Sequence, residues 1–177
     1  PAGERWLRGT GPIWRIINRA GPPLPEPPRA EGHVVILGHG RVGELTGHAL
    51  THLEVPYIVV DADLSHVRRL VQAKASAVVW GDAASLVVLE QTSLRRARLV
   101  VVALPDENST ILAVTNVRRL NPNVPIVVRA RSREELPLLY HLTVQEVVVP
   151  EYEGGLELMR QALVGLGYDG EEAMHYS

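Results

Sequence analysis

The residues best suited to chemistry form one short run, Gly38-His39-Gly40-Arg41-Val42-Gly43. Three glycines at this spacing allow a backbone to wrap a phosphate. Gly38 makes the tight turn from strand to helix. Gly40 lets the main chain approach a pyrophosphate where a Cβ would collide, and Gly43 lets the helix pack close to the strand. The N–H groups and positive end of that helix then face the anion. Such a run is weakly specific alone, but here an apolar run precedes it and a helical pattern follows. Asp61, 18 residues beyond Gly43, ends the next apolar run, near the spacing of the acid that accepts ribose hydroxyls. Ala62 follows, with no Arg to meet a 2′-phosphate. The pattern therefore predicts NAD(H) or an adenine nucleotide (AMP, ADP or ATP) over NADP. The alternative is a plain tight turn followed by a helix-capping Asp61. His39 either touches phosphate or ribose or is simply exposed. Arg41 opposes the helix macrodipole, so it fits better beside an anion than as a helix stabiliser.

These residues need a scaffold, and the flanking pattern supplies it. Strand-like runs occur at His33–Leu37, Tyr57–Val60, Ala77–Trp80, Leu99–Leu104, Ile126–Arg129 and Glu146–Val149. Their near-continuous apolarity fits strands covered on both faces. Helical periodicity fills the intervals at 42–53, 64–73, 84–92, 107–120 and 132–142, with a last helix at 152–166. Leu120-Asn121-Pro122 is a stop signal for the fourth. Alternation of this kind predicts an α/β fold, a Rossmann-like doubly wound parallel six-stranded sheet with a C-terminal helix.

Composition bounds the function. The chain has 177 residues, no cysteine and a formal net charge of −2. Disulfides, cysteine nucleophiles and cysteine zinc sites are excluded, and no global basic field points to nucleic acid. With no Phe and 5% aromatic residues, the core is aliphatic. No apolar run reaches the ~18 residues of a membrane span. Seven of the 13 prolines fall in the first 30 residues, which carry five Arg against two acids. Residues 1–31 read as a tail and Pro-rich spacer, with a short helix after Thr10-Gly11-Pro12 that either lies on a membrane interface or packs on the domain. The organisation expected is thus a tail over 1–31, a domain over 32–167 and a C-terminal tail over 168–177. The first residue is Pro rather than Met, and a piece of a longer protein is expected.

With these blocks placed, residues 32–167 resemble the TrkA-N, KTN or RCK regulatory domain of potassium transport systems. The likeness rests on Gly38–Gly43, on Val59-Val60-Asp61-Ala62-Asp63 and on Gly81-Asp82-Ala83. It continues in Leu104-Pro105-Asp106-Glu107-Asn108, Arg118-Arg119-Leu120-Asn121-Pro122, Val127-Val128-Arg129-Ala130-Arg131 and Val148-Val149-Pro150-Glu151. The form of these blocks is most like the C-terminal domain of Kef-type monovalent cation:proton antiporters. The resemblance implies a nucleotide-binding domain that gates a transporter. It also implies a homodimer, a transmembrane transport domain as partner, a place at the cytoplasmic side of the membrane, and glutathione as a candidate effector. It places Gly81, Asp82 and Ala83 beside the adenine. Two turns depart from the family pattern: Leu53–Pro56 and Leu142–Val144 stand where glycine is common.

The remaining candidates each carry a plainer reading. Gly81 and Asp82 follow a strand's carboxyl end, where open α/β sheets bind ligands, or they form a turn capping the next helix. Leu104, Pro105 and Asp106 flank the switch point, while Asp106 and Asn108 also suit helix caps. Arg129 either pairs with a phosphate or with Asp106, or is solvated alongside Arg131. Glu151 begins the last helix, where a carboxylate suits the dipole. His48 and His52 sit one turn apart without a third ligand, so an exposed or interfacial pair is expected and no metal. Leu156, Met159, Leu163 and Leu166 give the last helix an apolar face for the domain or a partner subunit. A small NAD-dependent oxidoreductase is the second reading. It needs an acid/base beside the nicotinamide, but no Tyr is followed four residues later by Lys, and no His has a convincing Asp partner.

Overall fold

The computed structural model describes residues 30–74 and 76–168. The short helix and spacer expected before residue 30, and the tail beyond Tyr168, lie outside the described residues. Six strands, β1 (Val34–Leu37), β2 (Tyr57–Asp61), β3 (Ala77–Trp80), β4 (Leu99–Val102), β5 (Ile126–Arg129) and β6 (Glu146–Val148), form one parallel sheet. Their order is β3-β2-β1-β4-β5-β6. The helices between them are α1 (Arg41–His52), α2 (Leu64–Ala73), α3 (Leu86–Glu90), α4 (Glu107–Leu120) and α5 (Leu136–His141), followed by α6 (Pro150–Gly165).

The aliphatic runs make these strands because both faces of the sheet are covered. Along β1 every residue is buried, and its side chains alternate between two cores. Val35 and Leu37 join Val100, Val102, Ile126 and Val128 under Leu89 of α3, Val114 of α4 and Leu139 of α5. Val34 and Ile36 join Val59 and Val78 against Val67 and Leu70 of α2. Burial of this kind stabilises by roughly 25 cal/mol per Å² of apolar surface. Helix α6 stands apart, with no buried residue along its 16 positions.

Element ends shift from the sequence expectation for local reasons. The third helix is shorter, Leu86–Glu90, and a separate 3-10 turn covers Leu94–Arg96. The segment expected at 132–142 begins with a 3-10 turn at Arg133–Glu135, and α5 then carries Pro137 in its first turn. Pro150 likewise opens α6 two residues earlier than the apolar spacing indicates, because Pro favours the first helical position. The two turns that lack the expected glycine still adopt left-handed backbone, with φ +55° at Glu54 and +57° at Thr143.

At the amino end of the sheet, polar side chains are consumed in fastening loops. Arg118 of α4 donates to the carbonyls of Val124 (2.5 Å) and Thr143 (2.7 Å) and to Thr143 Oγ1 (3.0 Å). Asn121 donates to Leu94 O at 3.1 Å. His33, fully buried, bonds through Nε2 to Thr92 O at 2.8 Å. The Arg118–Pro122 block is therefore an architectural clamp.

Candidate functional site

The strand order reverses at β1, whose neighbours β2 and β4 lead away in opposite directions. The connections leaving their carboxyl ends part there and open a crevice of about 760 Å³, within the usual range of small-molecule sites. Gly38 begins the turn with φ +93°, and a Cβ on it would meet Ala103 O at 2.8 Å. A Cβ on Gly43 would fall 2.0 Å from Gly38 O, so this glycine is what allows α1 to sit over the turn. Gly40 differs, because a Cβ there meets nothing within 4 Å of the protein. It caps α1 and lines the crevice, so a side chain at this position would occupy space that belongs to the crevice. The first N–H groups of α1 lack intrahelical partners by geometry and open towards the same space.

Asp61 is buried at the end of β2 and holds the turn together. Its Oδ2 accepts the His39 N–H at 2.5 Å and its Oδ1 accepts the Asp63 N–H at 2.7 Å. Oδ1 keeps a further lone pair, so the acid can bind the glycine loop and still receive a hydroxyl. His66 of α2 lies over it, with Nδ1 3.3 Å from Asp61 Oδ2 and Nε2 3.9 Å from Asp63 Oδ2. Asp63 also caps α2 by accepting Ser65 N–H, and these bonds hold its carboxyl below the usual range. His39 is buried rather than exposed; burial, more than the opposing pull of Glu44 and Asp61, lowers its pKa. Its ring meets that of His66 edge-on at 6.4 Å.

The opposite wall is ionic. Arg129, at the end of β5, donates from Nη2 to Glu151 Oε1 at 2.7 Å and from Nη1 to Leu104 O at 3.4 Å. Its partner is thus Glu151 of α6, not Asp106, and this bond draws the Glu151 carboxyl down. Asp106 instead caps α4 by accepting Ser109 N–H at 2.9 Å, which lowers its pKa. Asp82 closes its own turn on Ala84 N–H at 2.9 Å. In both cases the capping role coexists with a place on the crevice wall.

The crevice brings together Gly38, His39, Gly40, Arg41, Val42, Asp61, Ala62, Asp82, Ala83, Leu104, Pro105, Asp106 and Arg129. Gly43 and Gly81 stand behind its wall. Gly81 has φ +155°, and a Cβ on it would press on Val88 at 2.7 Å, so its role is to shape the turn. Asp63, His66, Ser109 and Pro150 also line the space and escaped the sequence reading, and so does Glu151, which the sequence marked only as a carboxylate suited to the helix dipole. A usable signal existed: each missed residue lies in or just before the first turn of a helix that follows a strand. His48 and His52 are exposed. Among the described residues, no group of three or more His, Asp or Glu side chains could hold a metal ion.

A parallel sheet in this order, with a glycine turn and a terminal acid at its switch point, defines a Rossmann-type domain. The particular family follows from comparison. The TrkA-N domain model matches residues 34–150, and the chain belongs to that family. A putative K(+) efflux antiporter, KefB, of Alkalimonas amylolytica is 31% identical over 134 residues, covering 76% of this chain and 20% of the relative. The glutathione-regulated potassium-efflux system protein KefC of Escherichia coli is 30% identical over 140 residues, covering 79% and 22%. The chain thus spans about a fifth of the length of these two relatives. Among solved structures, the Shewanella denitrificans Kef CTD in AMP-bound form superposes with a TM-score of 0.73 at 25% identity, over 81% of this chain and 87% of that one.

Proposed function

We propose that this chain is the nucleotide-binding regulatory domain of a potassium or other cation:proton antiporter, acting at the cytoplasmic side of the membrane and binding NAD(H) or an adenine nucleotide. The observation that carries this reading is Gly40, an exposed helix-capping glycine that lines the crevice and on which a Cβ would meet no protein atom within 4 Å, together with an Asp61 whose Oδ1 keeps hydroxyl-accepting capacity. The AMP-bound relative of the same fold supports the ligand class, and the two antiporter relatives support the transport context.

The role is regulatory rather than catalytic. Nucleotide in the crevice stabilises one packing of the domain over another, and only that difference in affinity moves the attached transport domain. Helix α6 is the surface through which a second copy associates: Leu156, Met159 and Leu163 are half-buried, and Leu158 and Leu166 are exposed. Calorimetric titration with NADH, NAD, ATP, ADP and AMP tests the ligand reading. Saturable binding by at least one, abolished in Gly40→Val, supports it; no binding by any overturns it. Light scattering that finds a monomer at all concentrations would remove the dimer. Hydride-transfer turnover on a simple carbonyl would remove the regulator-only role.

A further inference from the structure

We infer that the amino end of the sheet rests on an anionic bilayer, with arginines of the loop before β4 seated among lipid phosphates. The inference uses only the membrane context of the reading above and holds whichever nucleotide the crevice takes. Arg95, Arg96 and Arg98 stand exposed within one short loop, and Arg119 of α4 is exposed at the same end. Asn121, two residues on, donates to Leu94 O at 3.1 Å and ties the end of α4 to this loop. Two acids lie close by. Glu31 pairs with Arg96, and Glu90 lines the same hollow as Arg95 and Arg96. Elsewhere along this end Lys74 and Arg118 are offset by Glu54 and Glu146, so the amino end keeps an excess of positive charge.

The opposite end has the other sign. Around the crevice Arg41 and Arg129 are outnumbered by Asp61, Asp63, Asp82, Asp106 and Glu151. A negative surface therefore attracts the amino end, repels the carboxyl end and turns the crevice towards water. The chain also enters at the attracted end. The Gly32 N–H donates to Arg96 O and the Arg98 N–H to His33 O, both at 2.9 Å. Residues 1–29 thus join the domain beside these arginines, and they bring five more, Arg5, Arg8, Arg15, Arg19 and Arg29. The kind of partner follows from the composition of the loop. Leu94 is the only large apolar residue from 91 to 98, and it is buried. A protein interface draws most of its energy from buried aromatic anchors and a few other hot spots. Anionic lipid headgroups attract arginines near the bilayer surface by charge alone.

Flotation of the full chain with vesicles is the test. The vesicles are phosphatidylcholine alone, or with about one-third phosphatidylglycerol, in about 0.1 M salt, where the screening length is about 10 Å. The parent is expected to float with the anionic vesicles and not with the neutral ones. Arg95→Gln combined with Arg98→Gln should weaken partitioning about thirtyfold, at about fivefold per arginine. Both side chains are exposed, so the melting temperature of this double variant should match the parent's. Glu31→Gln releases Arg96 from its partner and should strengthen partitioning about fivefold. Parent and double variant floating equally would assign the binding to residues 1–29 and overturn the inference. A parent that floats equally with neutral vesicles overturns it too. So does a parent that stays in solution with anionic ones, which leaves an acidic protein segment as the partner of these arginines. Nucleotide titration of the same proteins keeps the two readings apart: crevice binding that persists while flotation fails removes the bilayer contact alone, and flotation that persists without nucleotide binding removes the ligand reading alone.

Discussion

The two ends of the sheet use the same polar residue types to opposite effect. At the amino end, the Arg118 guanidinium fastens Val124 and Thr143, and burial lowers its pKa. Asn121 and His33 likewise give their hydrogen bonds to carbonyls of the same domain. At the carboxyl end, Arg129, His66, Asp61 and Asp106 are also partnered, yet all of them face a common space. The difference is one of spare capacity rather than pairing. Most buried polar groups are satisfied in either place, although each end leaves one buried nitrogen without a partner, His33 Nδ1 and Arg129 Nε. In a site, however, the partners leave lone pairs or exchangeable ion pairs turned towards the ligand. A family block such as Arg118–Pro122 is therefore a sign of architecture, whereas the block around Arg129 borders the crevice.

Substitutions can break or sharpen this contrast. The largest effect is expected from Gly43→Val, which drives a side chain into Gly38 O. Overpacking against backbone should cost about 3 kcal/mol or more and lower the denaturation midpoint steeply; an unchanged midpoint would show that α1 is free to move away from the turn. Next comes Arg118→Ala. Bonds to a charged donor are worth about 2 kcal/mol, so urea melts should register a loss of that order while nucleotide affinity in calorimetry stays the same. A fall in affinity would join the two ends energetically. Gly40→Val reverses the pattern: the melting temperature should hold, and affinity should fall at least about tenfold, or ~1.4 kcal/mol.

The smallest effect is a slope with pH. Burial lowers the pKa of both His33 and His39, so the unfolded chain binds more protons as pH falls below about 6.5. Their stabilisation is complete above that value and drains away beneath it. Thermal melts should show the midpoint dropping between about pH 7 and about pH 5, with a shallower slope in His33→Gln. The carboxyls that are pulled down, Asp63, Asp106 and Glu151 and also Glu157 at about 2, add their loss only at lower pH.

The sheet was legible in the sequence because strands covered on both faces read as unbroken aliphatic runs. The glycine turn was legible because Gly38 and Gly43 answer to backbone contacts only a few ångströms away. What escaped was set by turn geometry rather than by residue type. Asp63 and His66 reach Asp61 across the short β2–α2 turn, a conformation that residue spacing alone does not specify. The partner of Arg129 could not be chosen because Asp106 and Glu151 both start helices near the same strand ends. Glu54 and Thr143 ran against local preference, since a left-handed residue other than Gly costs about 1–2 kcal/mol. Tertiary contacts such as that of Arg118 with Thr143 hold such a turn in place.

Trp80 ends the edge strand β3, half exposed, and its indole N–H donates to the carbonyl of Ala62 at 3.1 Å. Ala62 is part of the crevice wall. The chain thus carries its own optical probe one hydrogen bond away from the crevice wall. Occupation of the crevice that moves the Asp61–Asp63 turn will alter the polarity around that indole. The other two tryptophans, Trp6 and Trp14, lie in the first 30 residues, so replacing both by Tyr leaves an emission signal that belongs to this turn alone.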